Sequence, residues 1–205
     1  MSRLEDKIEI ANPTQPHCAT VLLLDTSGSM SVGDKITSLN EGLRTFKEAV
    51  SSDELASKRV DLAVITFGEA VNVMHDFSSI EDFDPPTLTA GGTTPMGEAI
   101  VRAADMIEER KKHYRAQGVD YYRPWVFMIT DGDPTDMSPG EPRWTEVVKR
   151  VHEGETNKKF MFFAVAVEPA DTERLAQIAP PIRPPVRLRG NKFKDTEIVP
   201  PLVET

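Results

Sequence analysis

Five oxygen-bearing side chains stand out by type and spacing: Asp25, Ser27 and Ser29 in "DTSGSM", a threonine in "GGTTPMG", and Asp131 in "TDGDPTD". Carboxylates and hydroxyls are hard donors. A set with no thiolate and no evident imidazole suits Mg²⁺, Mn²⁺ or Ca²⁺ rather than zinc. The alternation Asp-x-Ser-x-Ser lets successive donors converge from one turn, and Gly28 between the serines gives the backbone the freedom for a positive φ there. Two carboxylates gathered without a cation would repel each other, so a divalent ion is the expected occupant. Each segment alone is also ordinary turn or helix-cap chemistry. The specificity lies in finding all three at strand ends or helix starts.

Holding such loops together requires strands that end at them. Residues 20–24, "TVLLL", form a short continuous aliphatic run, as expected of a strand buried on both faces of a sheet. Ile36, Leu39, Leu43, Phe46 and Val50 then recur at helical spacing and predict an amphipathic helix. Residues 59–67 read as the next strand and residues 70–74 as another, with only Gly68 and Glu69 between them. Parallel strands need a crossover of about a dozen residues or more, so this connection forces a hairpin and an antiparallel edge strand. A polar stretch follows, then a helix from Met96 with Ile100, Ala103 and Ile107 inward. After it come a buried strand over 125–130, a helix carrying Trp144, Val147, Val148 and Val151, and a strand within 159–167. Asp171 is a plausible N-cap for a short helix with Leu175 and Ile178, and a last strand is expected near residues 186–188. Strands alternating with helices imply a doubly wound α/β sheet covered on both faces. In such sheets ligands bind beyond the carboxyl ends of the strands.

The 205 residues fit one domain, and 39% hydrophobic with 28% charged residues is ordinary for a globular chain. The expected organisation is a lead-in over 1–17, a domain over 18–190 and a proline-rich tail over 191–205. A net charge of −9 argues against a nucleic-acid partner. The densest basic run, residues 108–115, carries acids beside its bases and reads as a solvated helix end. Cys18, the single cysteine, reads as a small buried side chain in a reducing compartment. The alternating charges of "MSRLEDKIEI" do not resemble a signal peptide, and no apolar run suggests a membrane span, so a cytoplasmic protein is expected.

Taken in order, Asp25-x-Ser27-x-Ser29, a Gly-Gly-Thr loop and Thr130-Asp131-Gly132 resemble the metal-ion-dependent adhesion site, or MIDAS, of von Willebrand factor type A domains. The segments "LNEGL", "TFGEA", "GGTTPMGEAI" and "YRPWVFMITDGDPTD" are similar to the bacterial TerY/YegL-like tellurium-resistance branch. The resemblance spans residues 19–167. It implies a Rossmann-like, six-stranded sheet of order 3-2-1-4-5-6 with the third strand antiparallel. It also implies that Ser27 and Ser29 coordinate Mg²⁺ or Mn²⁺ (Ca²⁺ is a further option) through their hydroxyls, while Asp25 and Asp131 supply charge, partly through bound waters. Alignment from "PMGEAI" backwards puts Thr94 at the ligand position and Thr93 where a glycine often stands. Gly28, Thr93 and Asp133 would be loop neighbours of the ion, and Asp133 and Asp136 are either orienting groups or surface turn acids. A partner protein's Asp or Glu would fill the open coordination position. The implied setting is tellurium resistance, stress response or kinase- and phosphatase-linked signalling. One departure is that "NKFKDTEIVPPLVET" is too short and proline-interrupted for the long helix expected to close one sheet face, so a partner could complete the fold and a monomer is not assured.

A rival class is a metal-dependent hydrolase or phosphatase using Asp25 and Asp131. It wants a general base at the ion, and the histidines do not supply one: His17 precedes the first strand, His75 follows the edge strand, and His113 and His152 fall late in helices. Neither a nucleophile elbow nor a phosphate- or dinucleotide-binding glycine motif is present. A metal-free scaffold is the third possibility. The sequence favours a non-enzymatic binding module.

Overall fold

The computed structural model describes residues 10–168 and 170–188. The elements are β1 (Cys18–Asp25), α1 (Lys35–Ser52), α2 (Glu54–Arg59), β2 (Val60–Phe67), β3 (Val71–Ser79), α3 (Met96–Gln117), β4 (Trp125–Thr130), α4 (Pro142–Thr156), β5 (Met161–Val167), α5 (Thr172–Ile178) and β6 (Val186–Leu188). The sheet order is β3-β2-β1-β4-β5-β6. All neighbours run parallel except β2 and β3, the hairpin forced by its short connection.

β1 and β2 are buried along their whole length, which is why β1 carries the apolar run 21–24 and β2 the run 62–65. Val21, Leu23 and Met128 point to one face, where Ile100, Ala103 and Ile107 of α3 and Trp144, Val147 and Val151 of α4 pack. Leu22, Leu24 and Phe127 point to the other, with Leu39, Leu43 and Val50 of α1. The proline-containing segment after α5 leads into β6, and Asp171 caps α5 by accepting from the amides of Glu173 and Arg174 at 2.9 and 3.2 Å. The tail over 191–205, with the expectation of a missing closing helix, lies outside the described residues, as does most of the lead-in.

Three local features depart from the sequence reading. β3 continues to Ser79, so His75 lies within the edge strand rather than after it. Main-chain pairing to β2 persists through two register irregularities although the apolar pattern has ended. The short α2 was not foreseen because it buries only Ala56 and Ser57 and has no apolar stripe; Asp53 secures it by accepting from the amides of Leu55 and Ala56 at 2.9 and 2.8 Å.

The third departure is the basic run of α3, which is not simply solvated, because Arg110, Lys111 and Tyr114 are buried. Lys111 pairs with Glu108 at 2.9 Å, whereas Asp61 of β2 draws in Arg110 and Tyr114. Its carboxylate accepts from Arg110 Nη2 at 2.7 Å and from the Tyr114 hydroxyl at 2.5 Å, and lies 3.2 Å from His17 Nδ1. Burial by itself would raise the Asp61 carboxyl, but the contacts from His17, Arg110 and Tyr114 together hold it below the ordinary value. Cys18 is fully buried nearby, and burial pushes its thiol up to about 12, so it is no nucleophile.

Candidate metal site

β1 and β4 are adjacent and parallel, with Leu24 opposite Ile129, so the loops leaving their carboxyl ends emerge side by side. Asp25 is the last residue of β1. Its Oδ1 accepts the Ser27 amide at 2.8 Å and its Oδ2 accepts the Thr130 hydroxyl at 2.5 Å. Burial is the main influence on this carboxyl and raises it; the hydrogen bonds from Ser27 and Thr130 oppose the shift, and the charge of Asp131 adds to it.

The chain then makes a single 3-10 turn, Gly28–Ser31, in which Gly28 does not take the expected positive φ because a right-handed turn already converges the donors. This brings the Ser27 and Ser29 hydroxyls 3.0 Å apart, and Ser29 Oγ donates to Asp131 Oδ1 at 2.6 Å. Hydroxyls thus bridge the space between the two carboxylates, joining loops 102 residues apart in the chain.

The glycine-rich loop docks on this turn through its backbone. Gly28 donates to the Gly92 carbonyl at 3.1 Å, and Gly91 donates to the Thr26 carbonyl at 2.8 Å. Thr94 is buried, and its amide and carbonyl engage the hydroxyl and amide of Thr135 at 3.0 and 2.9 Å. Thr94 is therefore clasped to the β4 loop, whereas Thr93 is exposed and directs its hydroxyl to the Gly68 carbonyl at 3.4 Å. Gly92 has a positive φ of 78°, and a Cβ there would lie 2.3 Å from the Glu69 amide nitrogen. Gly92→Ala is expected to destabilise the protein by about 1–3 kcal/mol from backbone strain alone and to lift the loop off the turn. Urea unfolding of the variant measures the loss.

The remaining acids of the β4 loop face elsewhere. Asp133 is 3.9 Å from Arg174 Nη2. Asp136 accepts the amides of Gly97 and Glu98 at 3.0 and 2.8 Å, securing the start of α3, which was not foreseen. The histidines stand elsewhere: His17 binds Asp61, His75 lies 2.7 Å from the Ser78 hydroxyl, His152 faces the Ala179 carbonyl, and His113 is exposed.

Lys35, the first residue of α1, is the charged neighbour that the sequence reading missed. Its ammonium donates to Asp131 Oδ2 and, at 3.1 Å, to the Ser29 carbonyl. Its position offered one signal, since a lysine in the first turn of a helix opposes the helix dipole and calls for a compensating partner.

No group of three or more His, Cys, Asp and Glu side chains suited to a metal occurs among the described residues. The cluster instead combines two carboxylates with neutral hydroxyls. These oxygens converge at hydrogen-bond spacing in a largely buried site, a donor set that fits a hard divalent cation.

No curated protein matches this chain. Among solved structures it resembles proximal thread matrix protein 1 from the mussel byssus, with 18% identity, a TM-score of 0.56, and coverage of 87% of this chain and 45% of that one. The pilus adhesin SpaC from Lactobacillus rhamnosus GG gives 13% identity, a TM-score of 0.64, and coverage of 87% and 29%. The ArnB paralog VWA2 from Sulfolobus acidocaldarius gives 14%, 0.57, and coverage of 86% and 42%. A further structure of the mussel protein, at 16% identity and a TM-score of 0.55, is described as having a zinc-occupied MIDAS motif, with coverage of 86% and 45%. The chain spans less than half the length of each of these proteins, and at such identities the likeness shows the fold. The sequence profile of the von Willebrand factor type A domain matches residues 20–196, most of the chain, and with the sheet order described above it establishes that the protein belongs to the von Willebrand factor type A domain family.

Proposed function

We propose that this domain, over residues 18–190, is a metal-ion-dependent protein-binding module. The observation that carries the reading is the hydroxyl bridge from Ser27 through Ser29 to Asp131, set beside the buried carboxylate of Asp25. In this reading Ser27, Ser29 and Thr94 hold Mg²⁺ or Mn²⁺, and Asp25 and Asp131 balance its charge, partly through water. A bound ion would supply Lewis acidity toward a partner's Asp or Glu. The clasp between Thr94 and Thr135 supports Thr94 rather than Thr93 at the ligand position. The zinc-occupied motif of the mussel protein supports the capacity of the fold for a divalent ion, while the all-oxygen set here favours Mg²⁺ or Mn²⁺.

The module binds rather than catalyses. The histidines contact other parts of the fold, and the two carboxylates are engaged by hydroxyls and by Lys35. No helix among the described residues is long and apolar enough to cross a membrane. The proposed setting is a bacterial cytoplasm, in tellurium-resistance, stress-response or kinase- and phosphatase-linked signalling, on the strength of the TerY/YegL-like segments.

Calorimetric titration of the EDTA-stripped protein with Mg²⁺ and Mn²⁺ tests the reading. Saturable binding is expected, with a gain in folding stability of about 2.7 kcal/mol at a hundred times the dissociation constant. An absence of binding by both ions would sink it. The ion pair between Lys35 and Asp131 favours one alternative, a scaffold whose loops are held together without metal, and the same titration separates the two.

A further inference from the structure

Lys35 is costly where it stands. It opens α1 at the positive end of the helix dipole, where the acidic N-cap Asp34 makes no capping hydrogen bond through its side chain and the first turn holds no acid. Its long side chain is nevertheless ordered inward, with 12% of its surface exposed, onto a carboxylate with none. There the ammonium takes Asp131 Oδ2 and the Ser29 carbonyl, while the Ser29 hydroxyl takes Asp131 Oδ1. Both oxygens of Asp131 are thereby engaged by the protein. A divalent ion neutralised by Asp131 would have to share that carboxylate with an ammonium a few ångströms away, and like charges in a poorly hydrated site repel strongly.

We propose that Lys35 is a tethered cation that competes with the divalent ion for Asp131. It holds the β1 and β4 loops together when no ion is bound and must leave Asp131 for the ion to bind. The proposal rests on the metal-binding reading of this cluster. Its geometry permits the exchange: Nζ sits at the end of a flexible four-carbon stem, its residual exposure gives it a path to solvent, and its other partner is only a backbone carbonyl. Metal affinity is therefore set below what the oxygen donors alone would give.

The test compares the full chain with its Lys35→Met and Lys35→Arg variants, by calorimetric titration with Mg²⁺ and by thermal melts in EDTA and at saturating Mg²⁺. Lys35→Met is expected to bind Mg²⁺ at least tenfold more tightly than the wild type, about 1.4 kcal/mol per tenfold. It should also melt lower in EDTA, with the difference shrinking or reversing at saturating Mg²⁺. Lys35→Arg keeps the charge and should bind no more tightly than wild type. A lysine that merely supported the loops would give the opposite sign, weaker binding on its removal. If Lys35→Met does not fold, Lys35→Gln takes its place with the same expectation. Wild-type binding with unchanged or weaker binding in Lys35→Met would overturn the competition while leaving the metal site standing. Binding by Lys35→Met with none by the wild type would support the competition while overturning the metal-dependent function proposed for the natural protein, and no binding by any of these proteins defeats both.

Discussion

Asp25→Ala should weaken Mg²⁺ binding by at least about a hundredfold, because even groups outside the immediate ligand shell cost ten- to a hundredfold when removed. The same change should alter the stability of the ion-free protein little, since two effects oppose. Loss of the carboxylate leaves the Ser27 amide and the Thr130 hydroxyl without their acceptor, at a cost of about 1–3 kcal/mol for a buried polar group. Against that, Asp25 is a buried acid whose carboxyl is raised, so its ionised form is disfavoured in the folded state. For an acid with a raised folded value, the favourable contribution is present below its unfolded value near about 4 and is lost as pH rises through the folded one. In EDTA the wild type should therefore lose stability relative to Asp25→Ala as pH rises from the acid range, and added Mg²⁺ should reverse the order. Titration calorimetry and urea unfolding read the two arms. Wild-type affinity in Asp25→Ala would remove Asp25 from the site, whereas a variant that cannot fold would make Asp25 a structural residue.

At the other end of the sheet, Asp61→Ala should cost about 3–5 kcal/mol, the usual penalty for leaving a buried charge without its partner. Arg110 is 4% exposed and would keep its charge, with the Tyr114 hydroxyl and His17 also losing their common acceptor. The sign with pH is opposite to that of Asp25. A carboxyl held below its ordinary value contributes stability above about 3.9, lost as pH falls through its folded value. The gap between wild type and Asp61→Ala should thus be full at neutral pH and close under strongly acid conditions. Urea unfolding at both extremes measures it, and a loss below about 1 kcal/mol at neutral pH would contradict the assignment. Mg²⁺ affinity should not change in Asp61→Ala, because Asp61 pairs with Ala19 near the start of β1 while Asp25 lies six residues further along, at about 3.3 Å per residue.

The contrast between these two acids marks how far the sequence reaches. Strands buried on both faces write mostly apolar runs, and amphipathic helices write a repeating stripe, so β1, β2, β4, α1 and α3 were legible from local pattern. The two-residue gap after Phe67 forced the hairpin, and the parallel sheet placed the carboxyl ends of β1 and β4 together, which made Asp25, Ser27, Ser29 and Asp131 a readable constellation. Elements held by backbone pairing or caps left weaker traces: the later half of β3 has no apolar alternation, and α2 depends on the Asp53 cap.

Which residue partners an isolated charge left no local trace. Asp61 finds Arg110 across 49 residues, and Lys35 finds Asp131 across 96. Periodicity records which face of an element is buried, because neighbouring residues share that face. The pairing of single charges is decided only when distant elements meet, since desolvation makes each buried charge seek whatever counter-charge the fold has brought within reach. The sequence by itself determined the layered sheet and the oxygen-rich loops at its carboxyl end. The tertiary structure decided that Lys35, 96 residues away in the chain, stands opposite Asp131.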